Sequence, residues 1–179
     1  MKKDAPINPV PQLRIFKTAA CPTLSGKGKG TLTYHIGCTP DSEVHFRMAS
    51  NSGGGYFSPE WVSMKAIQEA LENGHKPLTS FSLMPLFKGK SVNTPSFMFA
   101  ALLAEGLVQR DAENPRVYVC CPTDGFMAEV AKLIASDVDI KVAEKITGKG
   151  VVKNRPKTLD VVPVMIPASK ARPKKTKPA

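Results

Sequence analysis

The chain has no run of roughly 20 consecutive apolar residues, the length a helix needs to cross a bilayer, so no segment reads as a membrane span. Its first residues, MKKDAPINPVPQ, place an aspartate and three prolines where a secretory signal would carry an unbroken apolar stretch. Export is therefore not expected. The four cysteines, Cys21, Cys38, Cys120 and Cys121, contain no CxxC pair, which counts against a zinc ribbon or a redox motif. They read as reduced and structural, consistent with a cytoplasmic setting (nucleoid-associated in a bacterium, nuclear in a eukaryote). Histidines are scarce: His35, His45 and His75 form no nucleophile–base constellation, and the acids scatter along helix surfaces and turns. No enzymatic reaction is implied, and no cofactor.

What is abundant is positive charge. The 179 residues carry 25 Lys and Arg against 15 Asp and Glu, a net of +10, in a chain sized for one domain or a smaller one with tails. Residues 1–30 hold a net of +5 and residues 145–179 a net of +9, whereas 31–144 come to −4. The two end segments also hold nine of the sixteen prolines and the runs SGKGKGT and ITGKGVVKNRPK. Such composition buries too little apolar area to offset an ordering cost of roughly 1–2 kcal/mol per residue. The expected organisation is a basic Pro/Gly-rich arm over 1–30, an α+β body over 31–144 and a basic Pro-rich tail over 145–179, with both arms flexible. One stretch of the tail, Leu159–Pro167, is apolar and β-branched, and reads as an extended segment able to dock on an edge or groove.

Within the body, Thr31–Gly37 and Glu43–Ala49 alternate apolar and polar residues, the period of half-buried strands. Pairing them with both apolar sets on one face puts Ile36 against Val44, Tyr34 against Phe46 and Leu32 against Met48. Leu13–Thr18 adds a third strand, making a hairpin or three-stranded meander. Ser58-Pro59-Glu60 offers a capping hydroxyl, a proline for the first helical position and an acid, and predicts a helix running from there to Glu72. Trp61, Met64, Ala70 and Leu71 share its buried side.

Further on, an apolar piece over Ser80–Phe87 leads through Lys88-Gly89-Lys90 to a helix over Pro95–Glu105 that stops at Gly106. Two short strands, Leu107–Arg110 and Arg116–Cys120, flank the turn Asp111–Pro115. A helix over 125–136 follows, and Asp139–Ile146 reads as a further short one. Helix, turn, helix, hairpin is an order that resembles the winged helix-turn-helix superfamily over 79–121, with AALLAEGLVQRDAENPRVYVC as the passage from recognition helix to wing. The resemblance implies a DNA-associated protein, an accessory or regulatory factor of the kind bacteria or their mobile elements carry.

In such a domain the second helix ordinarily offers Arg, Lys, Asn, Gln or Ser to base edges. Here it has no basic residue, and two Phe, a Met and two Leu give it the look of a buried helix. Contact with nucleic acid then falls to its approach, through Lys88, Lys90, Ser91, Asn93, Thr94 and Ser96, and to Arg116 in the wing, as phosphate contacts without sequence information. The arms add Lys27 and Lys29 at one end and Lys170, Arg172, Lys174, Lys175 and Lys177 at the other, residues that bind polyphosphate by counterion release. No aromatic residue is interleaved with the tail cations. The expected partner is DNA, with structured RNA as an alternative; the rival reading is a docking or homodimerisation module built on the apolar second helix and Leu159–Pro167.

Two further features carry less. The glycine runs Ser25–Thr31 and Asn51–Gly55 lack the GxxxxGK[ST] spacing and read as tight bends. The register above sets His35 opposite His45 near Cys38, three of the four ligands a zinc site needs; a cross-strand polar pair is the simpler explanation.

Overall fold

The computed structural model describes residues 13–25, 30–74 and 76–141. The architecture is α+β: an N-terminal antiparallel sheet followed by a helical unit. Strands β1 (Arg14–Pro22), β2 (Thr31–Cys38), β3 (Val44–Asn51) and β4 (Val62–Ser63) lie in chain order. Alternation does the sorting: Leu32, Tyr34, Ile36, Val44, Phe46 and Met48 are buried in the core, while Thr33, His45, Arg47 and Ala49 fall on the opposite face.

The register differs from the expected one. Tyr34 faces Met48, Ile36 faces Phe46 and Cys38 faces Val44. A tight turn is the reason: the Ser42 N–H donates to the Thr39 carbonyl at 2.9 Å and the Thr39 N–H to the Glu43 carbonyl at 3.0 Å, which draws Cys38 into the strand. The slip is by two residues, so the apolar sets keep their face. It does change the cross-strand partners. His35 lies opposite Arg47 and His45 opposite Gly37, so the expected histidine pair does not form.

β1 is longer than the sequence suggested and pairs with β2 from Arg14 to Pro22. Part of the basic N-terminal segment thus belongs to the sheet, and its cations are engaged there: Arg14 meets Asp137 at 2.6 Å and Lys17 meets Glu105 at 2.7 Å.

The first helix, α1 (Met64–Asn73), begins five residues later than the Pro59 start that the Ser58 cap implied. Its cap is Ser63, whose hydroxyl accepts from the Ala66 N–H at 3.2 Å. Ser58 is committed elsewhere: its N–H donates to Thr94 Oγ1 at 2.9 Å and its hydroxyl accepts from the Ser91 N–H at 3.4 Å. Residues 62 and 63 are drawn into the sheet beside β3. Met64, Ile67 and Leu71, spaced at i, i+3 and i+7, form the buried stripe. Trp61 lies outside the helix and packs over the sheet.

A 3-10 helix (Ser80–Phe87) and α2 (Thr94–Ala104) follow. α2 ends as its sequence demands: Gly106 takes φ +73°, its N–H donates to the Leu103 carbonyl and the Leu107 N–H to that of Leu102, the paired bonds of a Schellman cap. The hairpin β5 (Val108–Arg110) and β6 (Tyr118–Cys120) leads to α3 (Asp124–Ala135), where Phe126 and Val130 are buried. An isolated bridge joins Leu78, between α1 and the 3-10 helix, to Tyr118 of β6.

α2 is the centre of the molecule. Thr94, Pro95, Met98, Phe99 and Ala100 to Leu102 are all buried, and the helix touches β1, β2, β3, the 3-10 helix and β5. Phe99 meets the Tyr118 ring edge-on at 4.8 Å, and Phe46 stacks on Phe126 at 5.8 Å, so the sheet and the helical unit share one core. After α3 the chain returns to the first strand, with the Ile140 N–H donating to the Ile15 carbonyl at 2.7 Å. Residues 139–141 are not helical, and the rest of the helix expected up to Ile146 lies outside the described residues, as does Leu159–Pro167.

Candidate nucleic-acid interface

A helix with apolar residues on every side must be enclosed, and α2 is. The enclosure comes from the 3-10 helix, the N-terminal sheet and β5 together. At the surface α2 presents only Ala104 and parts of Ser96, Phe97 and Leu103. Thr94, expected at the approach, is fully buried, and its hydroxyl holds the Ser58 N–H.

The approach itself is at the surface. Lys88 and Lys90 flank Gly89, whose φ of +76° lets the chain reverse between the 3-10 helix and α2. Lys88 is exposed, with no hydrogen-bonded or ion-paired side-chain partner among the described residues. Lys90 meets Glu60 at 2.5 Å. Ser91 and Asn93 are turned inward to the preceding loop: the Ser91 hydroxyl donates to the Tyr56 carbonyl at 2.6 Å, and Asn93 Nδ2 donates to the same oxygen at 3.2 Å. The Ser96 hydroxyl donates to that of Ser80 at 3.3 Å. Arg116 lies exposed in the β5–β6 turn, where its N–H donates to Asn114 Oδ1. Among the described residues no hydrogen bond joins Arg116 to Lys88. Lys27, Lys29, Lys170, Arg172, Lys174, Lys175 and Lys177 lie outside the described residues.

Sequence reasoning missed two features. Tyr56, Phe81, Met84 and Val92 are exposed on the segments that lead into α2, and a shallow hollow lined by Met84, Lys88, Lys90 and Val92 opens beside Gly89. Nothing in their spacing distinguishes these residues from core ones. The second feature lies on the face of the sheet away from the core. There the Arg47 guanidinium sits 4.6 Å over the Trp61 ring. Opposite Arg47, His35 is 3% exposed, with Nδ1 at 2.9 Å from the Thr18 hydroxyl and Nε2 without a hydrogen-bond partner among the described residues. Burial and the neighbouring Arg47 charge lower its pKa to about 4, so the ring is neutral at physiological pH.

A buried polar knot joins α2 to the sheet. The Glu105 carboxylate, 3% exposed, accepts from Lys17 Nζ at 2.7 Å and from the Tyr34 hydroxyl at 2.6 Å. Burial and this acid together push the Tyr34 phenol far above its ordinary range and Cys21 up to about 11, so both stay protonated and inert.

No family model, curated protein or solved structure matches the chain. Among the described residues no three His, Cys, Asp or Glu side chains gather as metal ligands, and all four cysteines are free thiols. His45 instead directs Nδ1 to the Glu43 carbonyl at 3.1 Å. Cys120 is exposed and Cys121 half-buried, and burial raises the Cys120 thiol above its ordinary value. None of the described helices is long and apolar enough to cross a membrane.

Proposed function

We propose that the protein is a non-enzymatic, nucleic-acid-associated accessory factor, binding DNA chiefly through the basic segments at its two ends. The observation that carries this reading is the separation of charge. The described residues hold eleven Lys and Arg against twelve Asp and Glu, and three of those cations are already ion-paired to carboxylates within the body. The remaining residues supply the whole positive excess of the +10 chain. A near-neutral body with cationic ends draws a polyanion to the ends.

The helical unit adds orientation. Its order, α1, 3-10 helix, α2, β5 and β6, with Leu78 bridged to Tyr118 as a third short strand, supports a winged-helix-like reading. With α2 enclosed, the unit offers phosphate contacts from Lys88 and Arg116, Lys90 being paired with Glu60, and no base-edge readout. Binding is then indifferent to sequence.

Mobility shift of duplex DNA with the full-length protein at about 50 mM salt tests this. The expected result is binding of comparable strength to unrelated sequences, and replacing Lys170, Arg172, Lys174, Lys175 and Lys177 together by Gln removes most of it. Failure of the full-length protein to bind any duplex at that salt overturns the proposal.

A further inference from the structure

The sheet has one long open edge. β4 at one side is two residues long, whereas β1 at the other spans nine, from Arg14 to Pro22. In an antiparallel pair, residues alternate between exchanging N–H and C=O groups with the partner strand and turning both away from it. The Thr23 N–H donates to the Gly30 carbonyl at 3.3 Å, and counting back by twos through the observed pairs puts Cys21, Ala19 and Lys17 on the β2 side. Thr18, Ala20 and Pro22 therefore aim their backbone groups outward, and all three are exposed. Pro22 suits that side because it has no N–H to leave unpaired. Among the described residues the only backbone bond made to β1 from outside the sheet is that from the Ile140 N–H to the Ile15 carbonyl. Open edges are ordinarily guarded by a charge, a bulge or a covering segment. Here the bulge lies between Ile15 and Lys17, ahead of the open stretch, and the Lys17 ammonium is drawn away to Glu105. Thr18 and Ala20 bring neither charge nor bulk.

The chain carries one segment with the chemistry to cover such an edge. Leu159-Asp160-Val161-Val162-Pro163-Val164-Met165-Ile166-Pro167 is apolar and β-branched. Its two prolines are four residues apart, so in an extended strand both fall on the same edge. The opposite edge keeps every N–H, from Asp160, Val162, Val164 and Ile166. One edge is complete for pairing and the other is blunted against it, the pattern of a strand that ends a sheet. We propose that Leu159–Pro167 adds to the open edge of β1 as a fifth strand. Its reach is ample: Ile140 already stands at the start of β1, and the 19 residues from there to Leu159 extend up to about 60 Å, against about 30 Å for the whole of β1. Pairing by the complete edge sets Val161 and Met165 on the core side of the sheet, the side of Ala19 and Cys21, and Val162 and Val164 on the side of Thr18 and Ala20. The cations from Lys170 to Lys177 begin three residues past Pro167, so this docking seats them on the β1 side of the body. It does not depend on which polyanion they meet.

Amide hydrogen exchange of the full-length protein, read residue by residue by NMR, tests this. The Thr18 and Ala20 amides are expected to exchange at least about tenfold more slowly than in a Val164→Pro variant, whose proline removes a donor from the pairing edge. Val161→Pro removes a donor from the other edge and is expected to leave that protection intact. The Ala19 and Cys21 amides bond to β2 and stay protected in all three proteins, which separates loss of docking from loss of fold. Rapid exchange at Thr18 and Ala20 in the native protein overturns the proposal. So does equal loss of protection in the two proline variants, or protection that survives Val164→Pro and so assigns the edge to another segment. Protection that fades on dilution assigns the edge to a second copy and overturns the proposal as well.

Discussion

His35 shows how one side chain sets a pH limit on the whole fold. Its ring is buried neutral, with a folded-state pKa near 4 against 6.5 for an exposed imidazole. Below pH 6.5 the unfolded chain takes up a proton that the folded chain refuses, so stability is level above that pH and falls as pH drops toward 4. Between pH 7 and 4.5 the native protein should lose about 2 kcal/mol more than a His35→Phe variant, which carries no titrating group at this position. Urea denaturation of both proteins at the two pH values measures it; parallel losses would show that His35 is not the group responsible.

At the scale of elements, the junction between α2 and the sheet rests on Glu105. Its carboxylate satisfies a lysine and a tyrosine from two different strands in a site almost closed to water. Glu105→Leu leaves the Lys17 ammonium and the Tyr34 hydroxyl without their partner, at a cost of about 3 kcal/mol. A fall in the urea midpoint of corresponding size, with unchanged far-ultraviolet dichroism, is the expected result. None of this was legible beforehand, because Lys17, Tyr34 and Glu105 meet only through tertiary packing. What was legible is local chemistry: the alternation of β2 and β3, the end of the first helix to within one residue of Glu72, the Gly106 cap, and the apolar circumference of α2. The Ser58-Pro59-Glu60 signal misled for the same reason Glu105 was invisible. Ser58 satisfies its hydrogen bonds with Ser91 and Thr94, more than thirty residues away, and the helix took the next hydroxyl along, Ser63. The shifted register hid the Trp61, Arg47 and His35 cluster, since the sequence alone had paired His35 with His45.

For the whole molecule, the division of charge dictates how affinity responds to salt. If the end segments carry the phosphate contacts, the logarithm of the binding constant for duplex DNA falls steeply with the logarithm of salt concentration, by about 0.9 for each phosphate neutralised. Replacing the five tail cations by Gln should flatten that slope by up to about 4, whereas Lys88→Gln should flatten it by no more than about 1. Anisotropy titrations across a salt series give both slopes, and equal slopes for the native and five-fold variant proteins would place the contacts elsewhere in the chain.

The hydrogen bond from the Ile140 N–H to the Ile15 carbonyl then acquires a meaning beyond fastening α3 to β1. It sets the points where the chain enters and leaves the described body side by side, with Arg14 and Asp137 clasped next to them. Residues 1–12 carry a net of only +1, and Lys27 and Lys29 fall in the β1–β2 connection at the other end of β1, so the strongly cationic segment that joins the body at this corner is the C-terminal one, with a net of +8 over 142–179.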